Sequence, residues 1–550
     1  MNKKIKSLAL VATLLALLSA RSNANTLRSY EINVQGITYC IDPRIELFNA
    51  VAVLFGHNGM TQANIPYKQQ LLDYFMPYQH HPVVDSLLHS YYYGWGVDDP
   101  IFFMLCLDKD FKIMPGLDPY QIKRGGGLKR LELLASLFRD FAEKSGYYDW
   151  FNTVQRPLYE QLISQTAYNF RKFRIKPLLE NYYGEKHHAY FMVMNVMGGY
   201  GNFGHAFTRK GQTDLYAVVS TNSAAGDVPT FNPSVLLFTL IAHEFSHGFV
   251  NPAVTPYIKS VAKDSALYEP IKGAMQAAGY QSWGATVYET IVPAAVTRLA
   301  ALTYGKEMAY LDFYRPQMGR RFIYMDTLLN RLKYYEQHRK EYPTFRDFVP
   351  ELLSVFDHIT LQYIAHLQQK VAAFRLPDAE HIPKVYEFKH DSTALFIVGT
   401  YENDAKAQAQ MTAWAKTYRN MISPESAVIT DEQALKMDLS RNDIVLIGTP
   451  QGNLLLKRYI GQLPIIMLKD SLITNKVVKG DHLQLVTSWI SPFNPHKTMV
   501  IYTAQQAGDI DKFQTSPYKD QYGYWVGLNT ITLDHGEWVR YGLLWQCDPN

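Results

Sequence analysis

Apolar positions alternate through residues 27–39, with Tyr30, Ile32, Val34, Ile37 and Tyr39 in step, and predict a strand entering the fold. From Arg44 to Gly184 the apolar spacing becomes mainly helical, with Pro, Gly and Asp at the breaks and an amphipathic stretch over 128–141. Residues 189–197 predict a second strand. The glycine-rich run from Gly198 to His205 predicts a loop, and residues 215–221 a further strand. Val235 to Ala242 is apolar on every side, the mark of a buried helix. Asn232 suits its N-cap and Pro233 its first turn, while Gly248 and then Asn251-Pro252 predict its end. Helices are predicted over 265–278 and 283–304, followed by helical, charged and aromatic sequence over 306–374.

The character changes after Pro377. Residues 394–399 and 444–448 read as strands ending in glycine, each followed by a helical stretch (404–418 and 454–460). Strands at 464–468 and 499–502 complete an alternation that predicts a small α/β domain, Rossmann- or flavodoxin-like, with a largely parallel sheet. The expected architecture is α+β, largely helical with a small sheet, plus that C-terminal domain. Its boundaries are 1–24 (leader), 25–184 (mainly helical), 185–376 (catalytic, with a helical extension) and 377–550.

Composition narrows the partners. Lys3, Lys4 and Lys6 precede a short apolar core and Ser22-Asn23-Ala24, which predicts a secretory signal cut after Ala24 and a periplasmic or extracellular protein. The formal charge of +4 resides in that leader, in Lys3, Lys4, Lys6 and Arg21. The remainder is balanced, so nothing points to nucleic acid or anionic lipid. No stretch is long enough to span a membrane. Cys40, Cys106 and Cys547 form no disulfide framework; one bridge with a spare thiol and three buried thiols are both open.

Chemistry concentrates at His243-Glu244-Phe245-Ser246-His247. The histidines, i and i+4 on one helix face, can reach a single ion, while Glu244 sits one residue round, placed for a water rather than the metal. A third ligand is sought in a carboxylate among apolar neighbours. Glu289, beside Val287, Ile291, Val292 and Ala294, is favoured; Glu269, before Pro270, is the alternative, and a salt bridge from Glu289 to Arg298 is the plain structural reading. Gly199, Asn202 and His205 are candidates for substrate contact, since glycines let a backbone come close; a simple hairpin turn explains them equally well. His205, Tyr280 and Tyr288 are candidates to steady an oxyanion.

Other constellations have plainer readings. His81, Asp85 and His89 at i, i+4, i+8 admit a second metal, but Pro82 makes His81 a helix cap first. Lys123 to Gly127 lacks a preceding strand and reads as a connector rather than a phosphate loop. The run Gly448 to Asn453 admits an anion at a helix start, yet matches no nucleotide motif.

Taken together, these residues resemble the gluzincin branch of H-E-x-x-H zinc metallopeptidases. Nearest in likeness is an uncharacterised family of exported bacterial zincin-like proteins catalogued as a domain of unknown function. The likeness rests on Tyr78 to Val83, Gly198 to Asn202, His243 to Pro252 and Glu289 to Arg298. The resemblance implies a zincin-like catalytic region, one Zn2+ on His243, His247 and Glu289, and Glu244 as general base toward water on the ion. Peptide or protein is the implied substrate. Glu289 lies farther from His247 than is customary in gluzincins, whereas Glu269 has nearly the usual spacing. The competing expectation is a secreted non-catalytic protein on the same scaffold, binding peptide or envelope carbohydrate.

Overall fold

The computed structural model describes residues 30–54, 66–92, 95–96, 98–171, 173–197, 201–221, 223–225, 228–231, 235–372, 382–385, 393–513, 522–528, 531–541 and 544–549. The leader call, Gly199, and the capping calls at Asn232 and Pro233 lie outside them. Two units divide the chain, each taken here by itself. One comprises Met1–Asp264, Val287–Leu299 and Asn330–Val355; the other comprises Ser265–Thr286, Ala300–Leu329 and Phe356–Asn550.

In the first unit the alternation near the N-terminus makes a hairpin rather than one strand. Strand β1 (Tyr30–Val34) pairs antiparallel with β2 (Ile37–Ile41) across Gln35 and Gly36, both at positive φ. That two-residue turn suits the twist of the flanking strands. Helix α1 (Pro43–Leu54) follows, then α2 (Asp99–Leu105), α3 (Arg156–Phe170) and α4 (Ile175–Tyr183). Strand β3 (Ala189–Asn195) lies parallel to β2, and β5 (Gln212–Ser220) parallel to β3.

The glycine-rich stretch does not stay a loop up to His205. Phe203–Arg209 forms strand β4, antiparallel to β5, with the hairpin turn at Lys210 and Gly211, both at positive φ. The sheet order is therefore β1-β2-β3-β5-β4, and β4 is an edge.

Residues on the two faces of this sheet separate by parity. Tyr190 of β3 meets Phe245, and Leu215 of β5 lies beside Gly248, so these positions face helix α5 (Val235–Val254). On the other face Asn195 of β3 meets Asn49 of α1. Asn49 also bonds Glu46, a buried carboxylate that accepts from the Tyr67 and Tyr159 hydroxyls. Desolvation outweighs these bonds and pushes the Glu46 carboxyl up to about 7.

Helix α5 does not stop at Asn251-Pro252 but runs through to Val254. Gly248 is an interior residue whose missing side chain makes room: a Cβ there would lie 2.3 Å from Leu215. The 283–304 segment is helix α6 (Trp283–Tyr304), whose N-cap Ser282 accepts from the Ala285 N–H. Its Pro293 is internal, Glu289 sits in the second turn, and the Glu289 carbonyl lacks the N–H expected four residues on. Helix α7 (Phe345–Leu353) supplies Arg346, which pairs with Glu185 and donates to the Pro252 carbonyl of α5 at 3.0 Å. The expected helix over 265–278, in the other unit, is mostly 3-10 (Ala262–Ile271), with α-helix only over Lys272–Ala277. Pro270 breaks the α-helical ladder there.

The second unit carries the strand–helix alternation of the C-terminal sequence. Strands β6 (Leu395–Val398), β7 (Ala427–Thr430) and β8 (Ile444–Ile447) are followed by β9 (Gln484–Ile490), β10 (Thr498–Ala504), β11 (Tyr524–Leu528), β12 (Ile531–Tyr541) and β13 (Leu544–Pro549). Their order is β13-β12-β11-β9-β10-β8-β6-β7. Only the four strands β7, β6, β8 and β10 run parallel; the others pair antiparallel. The expected strand at 464–468 shrinks to Ile466–Met467 and belongs to a separate three-stranded sheet.

Alternate residues of β6 feed different cores, Leu395 and Ile397 on one face and Phe396 and Val398 on the other. The latter core includes Met411, Ala415 and Tyr418 of helix α8 (Ala405–Ile422). Within this unit the buried Arg315 guanidinium is held by the Leu463 and Gln462 carbonyls, each at 2.6 Å. Among the described residues no helix is long and apolar enough to cross a membrane. Overall the chain is a mixed α/β protein.

Candidate metal centre

Helix α5 is seated on the sheet by residues that leave its histidines pointing elsewhere. Ile241, Ala242 and Phe245 are buried, and Phe249 stacks on Tyr183 of α4 with centroids 4.5 Å apart. Gly204 of the edge strand lies directly under the helix backbone: a Cβ there would be 2.1 Å from the Glu244 carbonyl oxygen. That contact is with main chain, which cannot swing aside. Gly204→Ala is therefore expected to cost about 1–3 kcal/mol as helix and strand are forced apart. Thermal melting checks this, and a substitution that leaves the melting temperature unchanged would show that the close approach is not needed.

The two histidines and Glu289 converge. His243 Nε2 and His247 Nε2 are 3.2 Å apart. Glu289 approaches from α6 with its two oxygens 3.5 Å from His247 Nε2 and 3.9 Å from His243 Nε2. Among the described residues these three form the one group of histidine, cysteine and carboxylate side chains gathered closely enough to hold an ion.

Zinc bonds of about 2.0–2.1 Å in a tetrahedron place neighbouring donors about 3.3 Å apart, so the set fits one zinc ion with small adjustments. The three side chains keep 12–21 % exposure, so the cluster is partly open to solvent. Arg298, the salt-bridge partner considered for Glu289, is instead engaged by Glu336 at 2.6 Å. The alternative ligand, Glu269, lies in the other unit, is 68 % exposed, and pairs with Lys272 at 3.0 Å.

Glu244 is buried, in contrast to the partly exposed His243 and His247. Desolvation, and secondarily the Glu289 carboxylate, push its carboxyl well above the ordinary range. A cation held by Glu289 and the histidines would offset the second cause.

The other candidates fall outside this group. Asn202 accepts the Ser220 N–H at 2.9 Å and so ties the end of β5 to the start of β4. His205 stands on β4, on the face opposite the one that Gly204 turns to α5, with its ring 5.2 Å from Phe102 of α2. Desolvation holds its imidazole down at about 4, with Asp98 opposing and His247 adding to the shift. Tyr288 directs its hydroxyl to Thr255 at 3.0 Å. Tyr280 belongs to the other unit, where its carbonyl accepts from the Tyr268 hydroxyl.

His81, Asp85 and His89 are not among the side chains gathered closely enough to hold an ion. His81 accepts the Val83 N–H and pairs with Asp140, while His89 turns back to the Asp85 carbonyl. Gly127 ends the connector as the N-cap of helix Leu128–Lys144. The loop after β8 holds its own acid: Glu402 accepts the Thr449 N–H at 2.7 Å and its hydroxyl at 2.8 Å, filling the cradle predicted for an anion. Helix α9 (Leu454–Tyr459) is capped by Asn453 and donates its Leu454 N–H to the Asp431 carboxylate. All three cysteines are buried free thiols.

Sequence reasoning missed two residues. Asn251 reaches His247 Nδ1 at 3.3 Å, a contact its i, i+4 spacing could have signalled. Gly204 had no such signal, because its partner is the main chain of a distant helix.

Fold and site together define a mixed α/β protein bearing a His-His-Glu cluster across two helices. Over residues 37–355, more than half of its length, the chain matches the family described as a domain of unknown function (DUF4932), and it belongs to that family. No curated protein and no solved structure gave a match.

Proposed function

We propose that this protein is an exported zinc-dependent peptidase, with His243, His247 and Glu289 as the ligands and Glu244 as the base. The observation that carries the reading is the convergence of these three donors, within 3.9 Å of one another at their facing atoms, beside a buried glutamate. Bound there, zinc supplies Lewis acidity, polarising a carbonyl and acidifying water.

The chain's own groups account for the rest. Glu244 has no place in the ligand set; its burial keeps it basic enough to take a proton from the attacking water and return it to the leaving amine. Among the described residues, edge strand β4 is paired on one side only, by β5, and it runs beneath the motif helix at Gly204. An unpaired strand edge offers N–H and carbonyl groups to an extended chain, which favours a peptide as substrate. Export is proposed on the N-terminal sequence.

The test is to express the mature chain and measure zinc content and cleavage of a mixed peptide pool. About one zinc per chain is expected, with cleavage lost to a chelator and restored by zinc. Zinc without cleavage of any peptide would favour the non-catalytic binding protein, and absence of zinc uptake would remove the reading.

A further inference from the structure

We infer that Asn251, Thr255 and Tyr288 form a hydrogen-bonded strap that sets the tautomer of His247 and ties together the two helices bearing the ligands. It rests on the zinc reading above and assigns residues that reading does not use.

The strap begins at His247, whose Nδ1 lies 3.3 Å from Asn251 Oδ1. An amide oxygen only accepts, so Nδ1 must carry the proton, and the neutral ring then has its lone pair on Nε2. That nitrogen is the one facing His243 and Glu289. Ligand histidines commonly have the second ring nitrogen tied in this way, which fixes both tautomer and ring plane.

The strap continues through the Asn251 main chain. Its carbonyl accepts the Thr255 hydroxyl proton at 2.7 Å. Thr255 has one proton to give, so its 3.0 Å contact with the Tyr288 hydroxyl must be donated by Tyr288. Tyr288 immediately precedes Glu289 on α6. Every donor is thus spent in one direction, from Tyr288 to Thr255 to the Asn251 carbonyl.

Two consequences follow. Tyr288 is a positioning residue, because its proton is committed to Thr255 and not to a reacting oxygen. The spacing between α5 and α6, and with it the reach of Glu289 to the histidines, is held at the strap.

The experiment compares Asn251→Leu, Asn251→Asp and Tyr288→Phe with the wild type. The readouts are zinc affinity by chelator competition, the visible spectrum of the cobalt-substituted protein, and melting of the metal-free protein. Asn251→Leu removes the acceptor at similar size and is expected to weaken zinc about 10–100-fold. Asn251→Asp keeps an acceptor and should stay within about threefold of wild type, with a wild-type cobalt spectrum. Tyr288→Phe should weaken zinc by about 3–10-fold without changing the melting of the metal-free protein.

Wild-type protein that takes up no zinc would remove the site reading and this inference with it. Wild type that binds zinc, beside an Asn251→Leu protein of equal affinity, would overturn the strap alone. An Asn251→Asp protein with tenfold or weaker binding, or a Tyr288→Phe protein at wild-type affinity, would also overturn it. These last two variants keep volume and decide the matter even if Asn251→Leu fails to fold.

Discussion

Glu244→Gln is expected to keep the fold and the zinc while hydrolysis falls by about 10³-fold. Glutamine has the volume of glutamate, so packing around the buried Glu244 side chain is preserved. The change removes a carboxylate that burial already disfavours, so the metal-free protein should melt no lower than wild type. None of the three converging donors is touched, and zinc content should stay at the wild-type value. On the proposed reading the proton acceptor disappears, and general-base catalysis typically contributes about 10²–10⁴-fold. The measurements are metal analysis, thermal melting and kcat on one cleaved peptide. Zinc lost together with activity would make Glu244 a structural member of the site, and unchanged kcat would move the base elsewhere.

A second large effect separates the two glutamates that sequence left in competition. Glu289→Ala should weaken zinc binding by at least about 100-fold, since even outer-layer changes cost about 10–100-fold and Glu289 faces both histidines directly. Glu269→Ala should leave zinc affinity unchanged. It breaks only an exposed i, i+3 pair with Lys272, for which less than about 1 kcal/mol is the ordinary effect. Dialysis against a graded chelator series reads both variants. Equal retention by both would require a different third ligand, and the reverse order would return the role to Glu269.

The spacing customary for gluzincins had pointed to Glu269, and the apolar surroundings to Glu289. Cost of burial proved the better guide to position. Glu289 lies where α6 is otherwise buried, and Glu269 lies on a 3-10 stretch with its side chain exposed. A spacing rule transfers only when the connecting chain takes the same path. Here the intervening residues around Pro270 form a 3-10 segment, and the carboxylate that meets the histidines stands on a later helix.

Periodicity in the sequence was enough to determine several features. The pairing of His243 with His247 follows from i, i+4 on any helix, and an all-apolar helix before them had to be buried. The hydrophobic runs at β6 and β8 also stood out, because strands buried on both faces need no polar alternation. Where periodicity was read across a turn it misled: Gln35-Gly36 reverses the chain within an otherwise regular alternation. The tertiary structure alone decided that β4 is an edge, that Gly204 lies against the Glu244 carbonyl, that Glu402 fills the loop after β8, and that Glu289 rather than Glu269 meets the histidines. The physical reason is common to all four. Local pattern states which face of an element is apolar, but which distant element covers that face depends on chain path and packing, and these are set only when the whole fold closes.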